Sequence, residues 1–193
     1  MKPTWIVLGV VALLIVVLLF IGGSYIGSKN QMVAKDQNVQ AAFSEIDVNL
    51  QRRADLIPNL VATVKGYANV EETVLNNIAQ ARSGLLQAKS PDEKLAANDR
   101  LNVALLPLMR MQENYPQLKS NDQFMRLQDE LAGTENRIAV SRRRYNAAIQ
   151  DYNTYIQQFP NNIWANMAGF HPKNQYYTAQ PGSENAPKVD FSK

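Results

Sequence analysis

Apolar residues from Val39 to Arg82 recur with a 4,3 alternation: Val39, Phe43, Ile46, Leu50, then Ile57, Leu60, Val64, Tyr67, then Val74, Ile78, Ala81. This is the seam of packed helices, sustained over about six heptads. Arg53 interrupts it, inside the charged run Gln51–Asp55, and Pro58 follows five residues later. A proline inside a helix removes a backbone donor and clashes with the preceding turn, at about 3 kcal/mol. A second seam runs through Phe124, Leu127, Leu131, Thr134, Ile138, Ser141, Tyr145, Ala148, Tyr152, Tyr155 and Phe159. It predicts a long helix from Asn121 or Asp122 to about Gln158, stopped by Phe159-Pro160. Between the two, Ser90-Pro91-Asp92-Glu93 has an N-cap serine, proline at the first helical position and glutamate at the third. It opens a helix to about Asn114, ended by Tyr115-Pro116, with a turn over Leu118–Asp122. No stretch alternates with period two for long enough to make a sheet.

The N-terminal pattern is different. Trp5 to Ile26 contains 22 residues and no charge. About 20 residues cross a hydrocarbon core, and Trp5 and Tyr25 mark its two ends as interfacial aromatics do. A cleaved signal peptide is the competing reading. The apolar run is longer than an ordinary signal core of about 7–15 residues, and no A-x-A site follows, so a retained anchor is preferred. Gly22, Gly23 and Gly27 are expected to close the span, with helix formers resuming near Gln31. Lys2 on one flank and Lys29 and Lys35 on the other leave the positive-inside bias balanced, and the side of the soluble part undetermined.

Composition narrows function mainly by exclusion. The 193 residues include no cysteine and one histidine, and the net charge is +3. Disulfides, cysteine metal sites and histidine-based metal clusters or triads within one chain are ruled out. No phosphate-binding glycine loop occurs, and so small a charge does not point to nucleic acid. His171, between Phe170 and Pro172, reads as a surface residue. No cofactor is expected.

The run IDVNLQRRADLIPNLV with VKGYA resembles the signature of LemA family proteins. The stretches YPQLKSNDQFMRLQDELAGTENRIAVSRRRYNAAIQDYN and FPNNIWANMAGF agree, so the resemblance covers about residues 30 to 172. It implies a bacterial, membrane-anchored helical bundle, and architecture more readily than activity. The fold class expected is all-α, an N-terminal transmembrane helix followed by a long up-and-down bundle. That bundle has four helices, or three if the first segment is continuous. The seam stays in phase through Tyr67 to Leu85, favouring one helix kinked at Pro58. Asn69-Val-Glu-Glu72 has the shape of a capping box after Gly66. The four-helix bundle implied by the resemblance tips the balance to a break near Gly66–Asn69. The expected layout is an anchor over 1–27, a juxtamembrane segment over 28–35, the bundle over 36–170 and a polar, disordered tail over 171–193.

Two sets of residues stand out as candidate sites. The first, a polar core or partner site, is Asp47, Arg52, Arg53, Asp55, Glu135, Asn136 and Arg137. The plainer reading is an ion-pair network that fixes helix register; the sharper is a ligand or partner site. Arg142–Arg144 cannot all face one way on a helix, so at least one is exposed. The second set is a self-association face: Tyr145, Ile149, Tyr152, Ile156, Phe159 and Trp164. It rests on a length mismatch, since the helix over Asp122–Gln158 overhangs the one over Asp92–Asn114. The alternative is that FPNNIWANMAGF folds back over the overhang.

The function expected is a structural or interaction protein, not an enzyme, single-pass in the bacterial cytoplasmic membrane. Its partners are the lipid bilayer, further copies of itself and other membrane proteins, with no nucleic acid. An adaptor whose groove binds a peptide or lipid is the alternative. An enzyme using carboxylates and arginines ranks behind it, because no nucleophile–base pair is present.

Overall fold

The glycines at the end of the apolar run do not end the helix. The computed structural model describes residues 3–177, and in it one helix, α1, runs unbroken over Pro3–Lys65. The gap in the helix implied between Gly22 and Gln31 is therefore corrected. A glycine inside a helix costs only about 1 kcal/mol against alanine and keeps its donor and acceptor, so the ladder continues through all three. Among the described residues α1 is the one helix long and apolar enough to cross a membrane.

α1 does end where the break was expected. Gly66 to Ala68 turn back on it, with the amides of Tyr67 and Ala68 donating to the Val64 carbonyl at 3.0 and 2.9 Å. α2 then covers Glu72–Gln87. The capping box at Asn69 does not form. Glu71 occupies the N-cap without a side-chain bond to a backbone amide, because the helix starts two residues later than the box requires.

The box at Ser90 forms as read. Ser90 Oγ accepts from the Glu93 amide at 3.2 Å, and Glu93 Oε2 accepts from the amides of Lys89 and Ser90 at 2.9 and 3.2 Å. It opens α3, Pro91–Asn114. A one-turn helix, α4, Pro116–Lys119, overlaps the first residues of the turn expected over Leu118–Asp122. α5 covers Asp122–Gln157, and Asn121 Oδ1 accepts from the Phe124 amide at 2.8 Å at its start. α6 covers Asn161–Ala168. All regular structure among the described residues is helical.

Contacts divide the chain into two units, and α1 and α5 contribute to both. One unit comprises the residues up to Val48 with Arg137–Asn174. Its core joins Met32, Val39 and Ile46 of α1 to Ile138, Tyr145, Ile149, Tyr152 and Ile156 of α5. Phe43 and Tyr145 stack at a tilt, 5.9 Å between ring centres. The buried α5 stripe leaves the expected seam after Tyr145, passing through Ile149 and Ile156 rather than Ala148 and Tyr155. A straight helix drifts from a strict heptad by about 20° per repeat, which accounts for the step of one residue. Packing begins at Ser28 and Met32, within the segment expected to be juxtamembrane.

The first residues of the expected tail are held in this unit. Tyr152 donates its hydroxyl to the His171 carbonyl at 3.1 Å. Asn153 exchanges two bonds with the backbone of Lys173, at 2.7 and 2.8 Å, and Lys173 Nζ pairs with Asp36 at 2.9 Å. The disordered reading does not hold through Lys173, because Asn153 satisfies that residue's backbone. The remainder of the expected tail, from residue 178, lies outside the described residues.

The other unit comprises Asn49–Asn136 with the residues from Gln175 on. Leu50, Ala54, Ile57, Leu60 and Val64 of α1 form its core with Ile78 and Leu85 of α2. Leu101, Leu105 and Leu108 of α3, Leu118 of α4, and Phe124, Leu127 and Leu131 of α5 complete it. Thr134 is fully buried, and its hydroxyl donates back to the Leu131 carbonyl at 2.7 Å. Tyr67, expected on the seam, is exposed, and Ala68 is buried in its place.

Candidate functional site

Arg53 lies three residues after Leu50 on the buried stripe of α1, so helical geometry delivers a guanidinium to a core position. Its side chain is only 8% exposed. From there it reaches two other helices, pairing with the Glu135 carboxylate of α5 and donating to Asn102 Oδ1 of α3. An arginine suits this task because its planar fork aims several donors at once. A cavity of about 340 Å³ adjoins the cluster, lined by Arg53, Asn102, Leu105, Leu106, Met109, Leu131 and Glu135.

The cluster's chemistry is that of holding. Its members are a permanently protonated guanidinium, a carboxylate and a neutral amide. They supply donors and acceptors but no nucleophile paired with a base. Among the described residues no group of three or more His, Asp or Glu side chains is placed to hold a metal ion.

Of the seven residues predicted for this site, the structure brings Arg53 and Glu135 together. Arg52 faces outward and meets Glu130 at 3.8 Å, both more than 45% exposed. Asp55 accepts from Gln51 at 3.0 Å and lies 3.9 Å from Arg82. Asp47 is half-buried and belongs, with Arg137, to the unit that ends at Val48 on α1. Asn136 and Arg137 are exposed. Asn102 was missed. It sits in the run Leu101-Asn102-Val103-Ala104, where periodicity marks Leu101 as core and gives no sign that the next side chain meets an arginine. In the arginine triplet, Arg143 and Arg144 are exposed, and Arg144 pairs with Glu45 at 2.6 Å.

The second predicted set is mostly consumed inside the chain. Tyr145, Ile149, Tyr152 and Ile156 are buried within their own unit, while Phe159 is exposed and Trp164 half-buried. The overhang was inferred by comparing α5 with α3. Continuity of α1 supplies α5 with a neighbour along this stretch, so those four side chains are not an open face. Burial, and then the nearby Asp36 charge, push the Tyr152 hydroxyl above its ordinary value.

A third feature is an open groove of about 630 Å³ between α2 and α3, floored by Ala81, Gly84, Ala97 and Ala104 and edged by Asp99 and Arg100.

Comparison with known proteins gives a consistent result. The sequence profile of the LemA family matches residues 42–191. Protein LemA of Metamycoplasma hominis is 29% identical over 118 residues, which is 59% of this chain and 52% of that protein. Magnetosome protein MamQ 2 of Paramagnetospirillum magneticum is 28% identical over 181 residues, 80% of this chain and 66% of that protein. Magnetosome protein MamQ of Magnetospirillum gryphiswaldense is 26% identical over the same length and coverage. The chain thus spans about half the length of the mycoplasma relative and less than two thirds of the magnetosome ones. With the profile matched over most of its length, the chain belongs to the LemA family.

Proposed function

We propose that this protein is a membrane-anchored structural and interaction protein, held by one span in a bacterial cytoplasmic membrane, with helical units that serve as scaffold. The observation that carries this reading is the contrast along α1. Leu8, Leu14, Leu19 and Phe20 are 56–79% exposed, whereas Met32, Val39 and Ile46 on the same helix are 0–4% exposed. Apolar side chains left bare in such density are those of a surface covered by something other than this chain, and a bilayer matches the run's length. The Arg53 cluster serves in this reading as a clamp joining three helices.

Carbonate extraction tests the reading. Full-length protein is expected to stay with membranes. Recovery in the aqueous fraction, lacking residues 1–27, supports the signal-peptide alternative instead.

A second reading, an adaptor that takes a peptide or a lipid chain, draws on the groove between α2 and α3. Its small floor residues leave room for a guest backbone. Assembly with further copies remains part of the proposal, through surfaces other than the buried Tyr145–Ile156 stripe.

A further inference from the structure

α6 is fixed beside the last turn of the apolar run. Ser28 Oγ donates to Asn161 Oδ1 at 2.9 Å, and one turn towards the N-terminus of α1 the Trp164 ring meets Tyr25 edge-on, 5.6 Å between centres. Three residues of α6 are matched to three of α1, about 4.5 Å along each, so α6 advances along α1 towards the apolar run. Gly22, Ser24 and Tyr25 are half-buried there, while Ile21, Gly23 and Ile26 stay exposed. Gly169, at a φ of 77°, then reverses the chain, with the Phe170 amide donating to the Ala165 carbonyl at 2.9 Å. The bonds to His171 and Lys173 return it to α5.

One flank of this excursion is apolar and open, and the exposed amides of Asn162 and Asn166 lie beside it. Phe159, Ile163 and Met167 are 80%, 46% and 70% exposed. They recur every four residues, so Ile163 and Met167 share one face of α6 and Phe159 leads into it. No charged side chain occurs from Phe159 to Phe170. Entry of this segment into a less polar medium therefore carries no ionic desolvation cost.

We propose that α6 is a second membrane contact: it lies in the interfacial layer of the bilayer that takes Trp5–Ile26, with Phe159, Ile163 and Met167 at the boundary between headgroups and acyl chains. The inference rests on the anchor reading above. Position selects the bilayer as occupant, because Tyr25 ends the span and Trp164 is packed on it, both aromatics of the type that favours this layer.

The chain has no cysteine, so single cysteines carrying an environment-sensitive fluorophore at Leu14, Gln150, Ile163 and Met167 of the full-length protein report depth in phosphatidylcholine vesicles. All four positions are exposed, so the labels need not disturb packing. Expected are strong loss of emission with doxyl-labelled lipid and protection from aqueous iodide at Leu14, Ile163 and Met167, with the reverse at Gln150. Iodide quenching at Ile163 and Met167 while Leu14 remains lipid-quenched overturns the α6 contact and leaves the anchor standing. Protection from both quenchers at Ile163 and Met167 shows a protein surface there, such as a second copy, and also overturns it. Iodide quenching at Leu14 defeats the anchor reading and the α6 contact with it.

Discussion

Arg82 of α2 donates its Nε–H to the carbonyl oxygen of Ala54 on α1 at 2.7 Å. Ala54 stands four residues before Pro58, so its carbonyl is the one whose helical donor Pro58 lacks. Ala54 is fully buried, and an unsatisfied carbonyl there is costly. The side chain of one helix thus completes the ladder of another, and the proline becomes a point of attachment.

Arg82→Met should destabilise the protein by about 1 kcal/mol, below the usual ~1.5–3 kcal/mol for a charged hydrogen bond because Arg82 is one-third exposed. Pro58→Ala returns an amide to position 58 and should stabilise α1 by up to about 3 kcal/mol. In the double variant the loss on removing Arg82 should shrink, since Ala54 then has a donor in its own helix. Urea melts of the four proteins read this coupling, and additive effects would refute the assignment.

Arg53→Met should cost about 2 kcal/mol. A half-broken buried pair loses about 3–5 kcal/mol, but Glu135 is 41% exposed and recovers water. Arg53→Met combined with Glu135→Leu should restore most of that stability, as an apolar replacement for a structural pair does. Thermal melts decide, and a double variant as weak as the single one speaks against the clamp.

Asn98 is fully buried in α3, and among the described residues its amide oxygen and nitrogen have no hydrogen-bond partner. Burying an unmatched polar group costs about 1–3 kcal/mol, so Asn98→Ala should raise the melting temperature despite the small space it leaves. A fall would mean that the amide is satisfied in solution, for instance by an internal water.

The Glu93 carboxyl is held below its ordinary value by the amides of Lys89 and Ser90, with the Ser90 hydroxyl contributing less. A depressed carboxylate adds stability that is present above its unfolded value, near 4.5, and is lost as pH falls through the folded value. Melting temperature should therefore drop on acidification below about pH 4.5, and Glu93→Gln should remove part of that slope. Identical acid limbs in the two proteins would show that the capping box does not titrate.

Much of the helical layout was legible because each signal was local. The Ser90 box needs four residues, and the break after Lys65 was marked by Gly66. Burial of Ile138 and Tyr145 follows from spacing alone. What stayed hidden was relational. The partner of Arg53 includes Asn102, 49 residues away, and no spacing rule within one helix foretells it. The apparent overhang at Tyr152 failed for a similar reason: α5 was measured against α3, whereas the helix that covers this stretch is α1, through Met32, Val39 and Ile46.

Continuity of α1 through Gly22, Gly23 and Gly27 has a mechanical consequence. Each residue of a helix sets an azimuth about 100° from the last, so the apolar run and the packed stripe that starts at Ser28 are keyed to one another. The apolar run is a shaft rather than a tether. Turning the apolar run about its axis turns Ser28, Met32 and everything packed on them, and removing one residue among those glycines would re-aim the whole apolar run by more than a quarter of a circle.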